Sequence, residues 1–181
     1  PEQRISTGNA ITSEQISLLA TEMTNVDQLY IDVGDADAYA RVRDLQSIIA
    51  DTVREHGGTV IRTSGEATLS AFQCCDEAVK AAIKIDREVK TGQFATCRVG
   101  IGVHRGQVLI AAENDRNEFF GGAVRAAVAM PQKVKQGILL TESVFADPVV
   151  VRLIPDLTLD LSENCIDLPG LPGQRVLQLT S

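Results

Sequence analysis

One amphipathic run, and the way it stops, constrains this chain more than anything else in it. Tyr39, Val42, Leu45, Ile48, Ile49 and Val53 recur at helical spacing, and the run ends at Gly57-Gly58. That spacing puts one apolar stripe along a helix. Glycine readily takes the left-handed conformation that closes a helix C-terminus. Two β-prone segments follow at once, Thr59 to Thr63 and Thr68 to Phe72, joined at Ser64-Gly65-Glu66. The helix therefore delivers the chain into a strand pair.

The flanking segments extend this pattern. Thr12-Ser13-Glu14-Gln15 has the form of a capping box, which predicts a short helix to about Met23. Residues 1–25 thus read as an N-terminal helical segment ahead of one main domain over 26–181. Leu29-Tyr30-Ile31 is apolar and β-prone and predicts a strand over 26–33. Asp76 starts a second helix to about Lys90, with Val79, Ala82 and Ile83 inward and Gly92 closing it. Cys97 to His104 and Gln107 to Ala112 predict a strand pair turned at Arg105-Gly106. A third helix carries Val124, Ala127 and Val128, and Pro131 breaks or kinks it. From Val150 onward the chain reads as short strands and turns. The order strand, helix, strand, strand, helix, strand is a ferredoxin-like βαββαβ core, here extended by a β-hairpin and a helix, in the α+β class.

Composition narrows function by exclusion. The 181 residues suit one domain with one sizeable core. Lys and Arg number 17 against 24 Asp and Glu, a net charge of −7, so the surface repels phosphate backbones and nucleic acid is excluded as a partner. No apolar run approaches the roughly 20 residues that span a bilayer, so direct membrane insertion is not expected. Cys74, Cys75, Cys97 and Cys165 match no zinc spacing. Adjacent Cys74 and Cys75 read as small apolar core residues at a strand end, and reduced thiols suit a cytoplasmic domain.

Fold alone does not choose a function, but the local sequence is more specific. Glu55-His56-Gly57-Gly58-Thr59-Val60, Ser64-Gly65-Glu66 and Ala71-Phe72 resemble the HGG-V-x-x-x-GD-x-x-x-AF run of class III adenylate and guanylate cyclases. Arg98 to Gly106 is similar to their R-x-GIH-x-G strand, and Asn117 to Val124 to their DY-x-GxTVN approach to the third helix. Gly137 to Glu142 resembles GxILxSE, and Leu168 to Gly173 resembles the closing LKGLPG turn. Segments in this order span roughly residues 26–180. A diguanylate cyclase is the nearest competitor, but its Gly-Gly-acid-Glu-Phe hairpin is absent at Ser64-Gly65-Glu66-Ala67.

The resemblance implies a site and also its decay. In these enzymes two carboxylates hold two divalent ions, Mg²⁺ or Mn²⁺, while the ribose 3′-oxygen attacks the α-phosphate of ATP or GTP and expels pyrophosphate. The first carboxylate ends the first strand, which implies Asp32; the second is Glu66, one methylene longer than the usual Asp. Asp32 reads equally as a loop acid capping the next helix, and Glu66 as an ordinary turn residue. The family's phosphate-holding Gly-Phe-Ser/Thr segment has no counterpart after Asp32. The stretch between the two acids is roughly ten residues shorter than the pattern, and Asp35 and Asp37 would repel a phosphate. The third-helix Asn and Arg that orient ribose and stabilise the pentavalent phosphate fall at Arg125 and Ala129. Arg125, one turn from Ala129, is the residue left to reach the phosphate, or it pairs with an acid across an interface. The base-reading Lys and Asp fall at Arg62 and Glu118, which either read a purine edge or pair with each other. His104 and His56 read as structural.

The expectation is a degenerate cyclase-homology domain acting in regulation or dimerisation. An active, divergent cyclase and a nucleotide sensor without turnover are the alternatives. The partner expected is a second copy or another cyclase domain, as a dimer; Mg²⁺ or Mn²⁺ is expected only if the site is active.

Overall fold

A computed structural model describes residues 11–113, 116–156 and 159–180. The chain runs β1 (Ile11–Met23), α1 (Val26–Val33), α2 (Asp35–Glu55), β2 (Thr59–Ser64), β3 (Ala67–Phe72) and α3 (Cys75–Val89). It continues through β4 (Val99–Glu113), β5 (Arg116–Phe120), α4 (Gly122–Ala129), α5 (Pro131–Val134) and β6 (Gly137–Thr141). It ends with α6 (Glu142–Phe145), α7 (Pro148–Leu153), β7 (Asp160–Leu168) and β8 (Leu171–Thr180). The strands form one sheet in the order β2-β3-β1-β4-β6-β8-β7, with β5 paired to the far half of β4. The inner order β2-β3-β1-β4, all antiparallel, is the ferredoxin-like core expected from the sequence.

That core forms from different segments at the N-terminal side. Residues 11–23 are a strand, not a capped helix, so no separate helical segment occupies the described part of 1–25; residues 1–10 lie outside the described residues. Thr12 to Gln15 pair instead with Gln107 to Ile110 of β4. β1 is central, paired along its edges with β3 and β4, and packing on both sheet faces buries it from Ile16 to Thr21. Burial on both sides removes the alternation that marks a half-buried strand. The strand expected over 26–33 is helix α1, which buries only Leu29 fully. Packing of Val26 and Val33 against the core outweighs the β propensity of Leu-Tyr-Ile.

β4 also differs from expectation. It runs unbroken through Arg105-Gly106, paired with β1 from Val99 to Ala111, and its hairpin partner is β5. Gly106 serves close packing, since a Cβ there would stand 2.8 Å from Ala123 Cβ in α4. Pro131 does end α4, beginning the short helix α5. After Val150 the chain completes α7 before the last two strands.

The larger core lies between one face of the sheet and α2, α3 and α7, around Leu19, Met23, Leu45, Ile49, Val79, Ile85, Val99 and Ile101. On the opposite face α4 covers Ile16, Leu18, Ala20, Leu69 and Val108 with Ala123, Val124 and Ala127. α4 and α5 sit almost on the backbone of β4. A Cβ on Gly102 would come within 2.3 Å of Met130 Cβ, and one on Gly100 within 2.2 Å of the Pro131 carbonyl. Gly102→Ala should therefore cost about 1–3 kcal/mol of stability by overpacking. Gly122→Ala, at the open start of α4 with nothing within 4 Å, should be neutral or mildly stabilising. Urea denaturation checks both, and equal effects of the two substitutions would refute this packing.

Candidate functional site

Two carboxylates meet where β1 ends. Glu22 is in register with Ala67, the first residue of β3, and the Met23 N–H donates to the Glu66 carbonyl at 3.3 Å. Glu66 itself sits in the β2–β3 turn, which Gly65 makes at φ +54. Alternation along β1 places Glu22 on the face of Leu18 and Ala20, beneath α4 rather than beneath the larger core. Both acids are half-buried and line a cavity of about 470 Å³ with Arg62, Leu69, Val128 and Pro131. The Glu22 carboxylate accepts a hydrogen bond from the Gln132 amide of α5.

Arg62 reaches this cavity because β2 is bulged. Val60 faces Ser70 and Arg62 faces Leu69, leaving Ile61 as the extra residue. The bulge turns both Ile61 and Arg62 to the α4 side, where strict alternation would have sent Arg62 into the larger core. Glu118, paired with Ala111 on the β4–β5 ribbon, lines a different cavity of about 840 Å³ with Ile16, Ile61, Ile110 and Phe119. Arg62 and Glu118 form no ion pair with each other or with any other described residue, so the pairing allowed by the sequence is not made.

Asp32 is not at a strand end. It is an exposed residue of α1 whose carboxylate accepts from Gln28 Nε2 at 2.7 Å, and it lines neither cavity. It does not cap the next helix either, because the N-cap of α2 is Gly34. Glu22 occupies the strand-end position that the sequence assigns to Asp32. It lies ten positions upstream, which removes the apparent shortening between the two acids. Its signal in the sequence is the apolar run Ile16 to Ala20 just before it, hidden by the capping-box pattern at Thr12. Asp35 and Asp37 fall in the first turn of α2, where they complement the helix dipole.

α4 turns Ala123, Val124, Ala126 and Ala127 inward. Arg125 is exposed, and its guanidinium makes no hydrogen bond or ion pair among the described residues. Ala129, one turn on, packs against the cluster around Met130 and Leu139. Neither lines the cavity that holds the two acids; Val128, between them in the helix, does. The chain thus brings Glu22, Glu66 and Arg62 together and leaves Arg125 and Glu118 apart from them. Among the described residues, no group of three His, Cys, Asp or Glu side chains converges as a metal cage.

His56 and two of the four cysteines are held in the packing of the fold. His56 follows the last turn of α2, and its Nδ1 lies 2.8 Å from Glu77 of α3. All four cysteines are free thiols. Cys75 and Cys97 are buried, and burial raises both thiol pKa values, which disfavours the reactive thiolate. Cys74, expected in the core, is exposed at the start of α3.

With this geometry in place, the fold is that of class III nucleotidyl cyclase catalytic domains. The adenylyl cyclase CyaB from P. aeruginosa superposes with a TM-score of 0.77 at 12% identity, over 95% of this chain and 96% of that one. The guanylate cyclase domain of RhGC from Catenaria anguillulae, solved in complex with GTP, gives 0.75 at 18% identity, over 94% and 98%. Adenylate cyclases from Trypanosoma brucei in their monomeric state give 0.79 at 13% identity, over 91% and 87%. At such identities the likeness is one of fold. No protein-family profile matches the sequence, and no curated protein does. No helix among the described residues is long and apolar enough to cross a membrane.

His104 generates a pH prediction. It is buried, with Nδ1 3.0 Å from Thr141 Oγ1, and burial lowers its pKa below the usual imidazole range. An unfolded histidine titrates at about 6.5. Below that pH the unfolded chain binds a proton that the folded one resists, so stability falls as pH falls. The urea midpoint should drop from about pH 7.5 to about 5.5, and His104→Gln should flatten that drop. An equal drop in the variant would contradict it.

Proposed function

We propose that this domain is a cyclase-homology module with a degenerate nucleotide site, which serves regulation or dimerisation in cyclic-nucleotide signalling rather than turnover. The observation that carries this reading is α4, which offers an exposed Arg125 and the methyl group of Ala129 where a cyclase offers an amide and a guanidinium. Removing one preorganised donor to the transition state costs roughly 2.7–4 kcal/mol, or about 10²–10³ in rate. Losses of this kind do not simply add, but two altered positions on one helix leave little turnover.

The segment leaving β1 supports the same reading. Where the resemblance has Gly-Phe-Ser/Thr, this chain has Asn25-Val26-Asp27. Asp27 puts a carboxylate in the first turn of α1, which opposes a phosphate there. The Asn25 side chain is used structurally, donating to the Thr96 carbonyl and accepting from the Arg98 N–H.

The opposite half of the site is better kept. Two half-buried carboxylates with no third protein ligand among the described residues suit an ion that arrives with phosphate oxygens, since Mg²⁺ is commonly held by one or two carboxylates plus substrate phosphates. Glu22 and Glu66 would hold Mg²⁺ or Mn²⁺ there, and the ion would neutralise phosphate charge. Gln132 orients the Glu22 carboxylate, and glutamate in place of aspartate lengthens the reach of each acid. Arg62 and Glu118, both unpaired among the described residues, keep a donor and an acceptor for a purine edge. The same sheet face holds both cavities, with Val128 exposed beside the acids. A second cyclase domain, this chain or another, fits that face and would receive the Glu22–Glu66 half-site.

Purified domain incubated with ATP or GTP and Mn²⁺ should form no cyclic nucleotide above a protein-free control. Product formation that disappears in Glu22→Gln would overturn the reading.

A further inference from the structure

Beside the proposed nucleotide site, the elbow between α1 and α2 combines three features. The first is a groove of about 290 Å³ between the two helices and the β2–β3 turn. Val26 and Val42 line it, Tyr30 and Tyr39 flank it, and Glu66 closes one end. The second is exposed apolar surface: Tyr39 is 60% exposed, Ile31 77% and Tyr30 37%. The third is charge. From Thr24 to Ala40 there are four aspartates, Asp27, Asp32, Asp35 and Asp37, and no lysine or arginine. None of the four forms an ion pair among the described residues; they lie on α1 and α2 outside the groove lining, whose own charged residues are Arg43 and Glu66.

Charge decides what fits. An isologous contact between two copies would set these aspartates against themselves, and like charges brought together at an interface are strongly disfavoured. Nucleic acid and anionic membrane surfaces are repelled for the same reason. An amphipathic helix with a basic face satisfies both requirements, its apolar side chains entering between the tyrosines and its Lys or Arg side chains facing the aspartates. We propose that the α1–α2 elbow is a docking site for a basic amphipathic segment of a partner protein.

Docking here bears on the nucleotide site. The Gln46 amide of α2 donates to the Gly65 carbonyl in the β2–β3 turn. Glu66 lines both this groove and the cavity it shares with Glu22. A segment seated between the tyrosines therefore presses on the turn that positions Glu66. The inference gives the regulatory module an input surface and does not rest on the absence of turnover.

The test is fluorescence anisotropy with a labelled peptide of about 16 residues, long enough for four helical turns, with Leu and Lys at amphipathic spacing. A peptide of the same composition, scrambled to destroy that spacing, is the control. The amphipathic peptide should bind about tenfold or more tightly than the scrambled one, and Tyr39→Ala should weaken it by about tenfold. Asp35→Asn/Asp37→Asn should also weaken it and flatten its salt dependence. These positions are exposed, and unchanged thermal midpoints confirm that the variants fold. Equal affinity for the two peptides, or full binding by Tyr39→Ala, overturns the proposal. So does self-association in sedimentation that Tyr39→Ala abolishes, which would make a second copy the occupant.

Discussion

Everything in this structure hangs on the burial of β1 on both faces. Its pairing with β3 on one edge and β4 on the other makes it the strand about which the ferredoxin-like core is built. From Ile16 to Thr21 each side chain is buried, successive ones entering opposite cores. Leu19 and Met23 join α2 and α3, while Ile16, Leu18 and Ala20 join α4. A slip of one residue would exchange these sets, so the register is strongly specified. The same register sends Glu22 to the α4 side and sets it beside the β2–β3 turn. The juxtaposition of Glu22 and Glu66 is thus a by-product of how the sheet is stabilised.

On the proposed reading, the two halves of the site differ in structural standing, and that difference lets one change while the other persists. Glu22 and Glu66 sit on backbone that the sheet requires, and Glu22 is tied to α5 through Gln132. Arg125 points to solvent from α4, whose packing is carried by Ala123, Val124, Ala126 and Ala127. Nothing in the packing of this chain demands an Asn or an Arg at 125 and 129. Such residues would answer only to a ligand, so under the proposed loss of turnover they are free to change. The close packing of α4 and α5 on Gly100 and Gly102 is independent of catalysis and keeps the fold.

What the sequence discloses follows from the same physics. The helix from Tyr39 to Val53 and its glycine stop are legible because one face meets the core and the other meets solvent. β2 and β3 are legible because they lie near the sheet edge. β1 is not, because a strand covered on both sides has no alternation, and the Thr12–Gln15 pattern imitates a helix cap. That single misplacement assigns Asp32 to the strand end and hides Glu22, which stands there. The β4 continuation is missed because Gly106 looks like a turn glycine, although its lack of a side chain serves contact with Ala123. Arg62 stands on the α4 side because of a bulge that nothing in the residue types announces. Motif order, spanning segments from Gly57 to Gly173, discloses the fold despite these errors, because glycines at close contacts are fixed by backbone geometry.

The most direct measurement is cyclic-nucleotide formation by an Arg125→Asn/Ala129→Arg double variant beside the unaltered domain, with ATP or GTP and Mn²⁺. If missing α4 donors are what separates this domain from turnover, the double variant should exceed the unaltered domain by about 10²-fold or more. That gain should vanish when Glu22→Gln is added. Equal rates from the variant and the unaltered domain, whether both active or both silent, would contradict the claim.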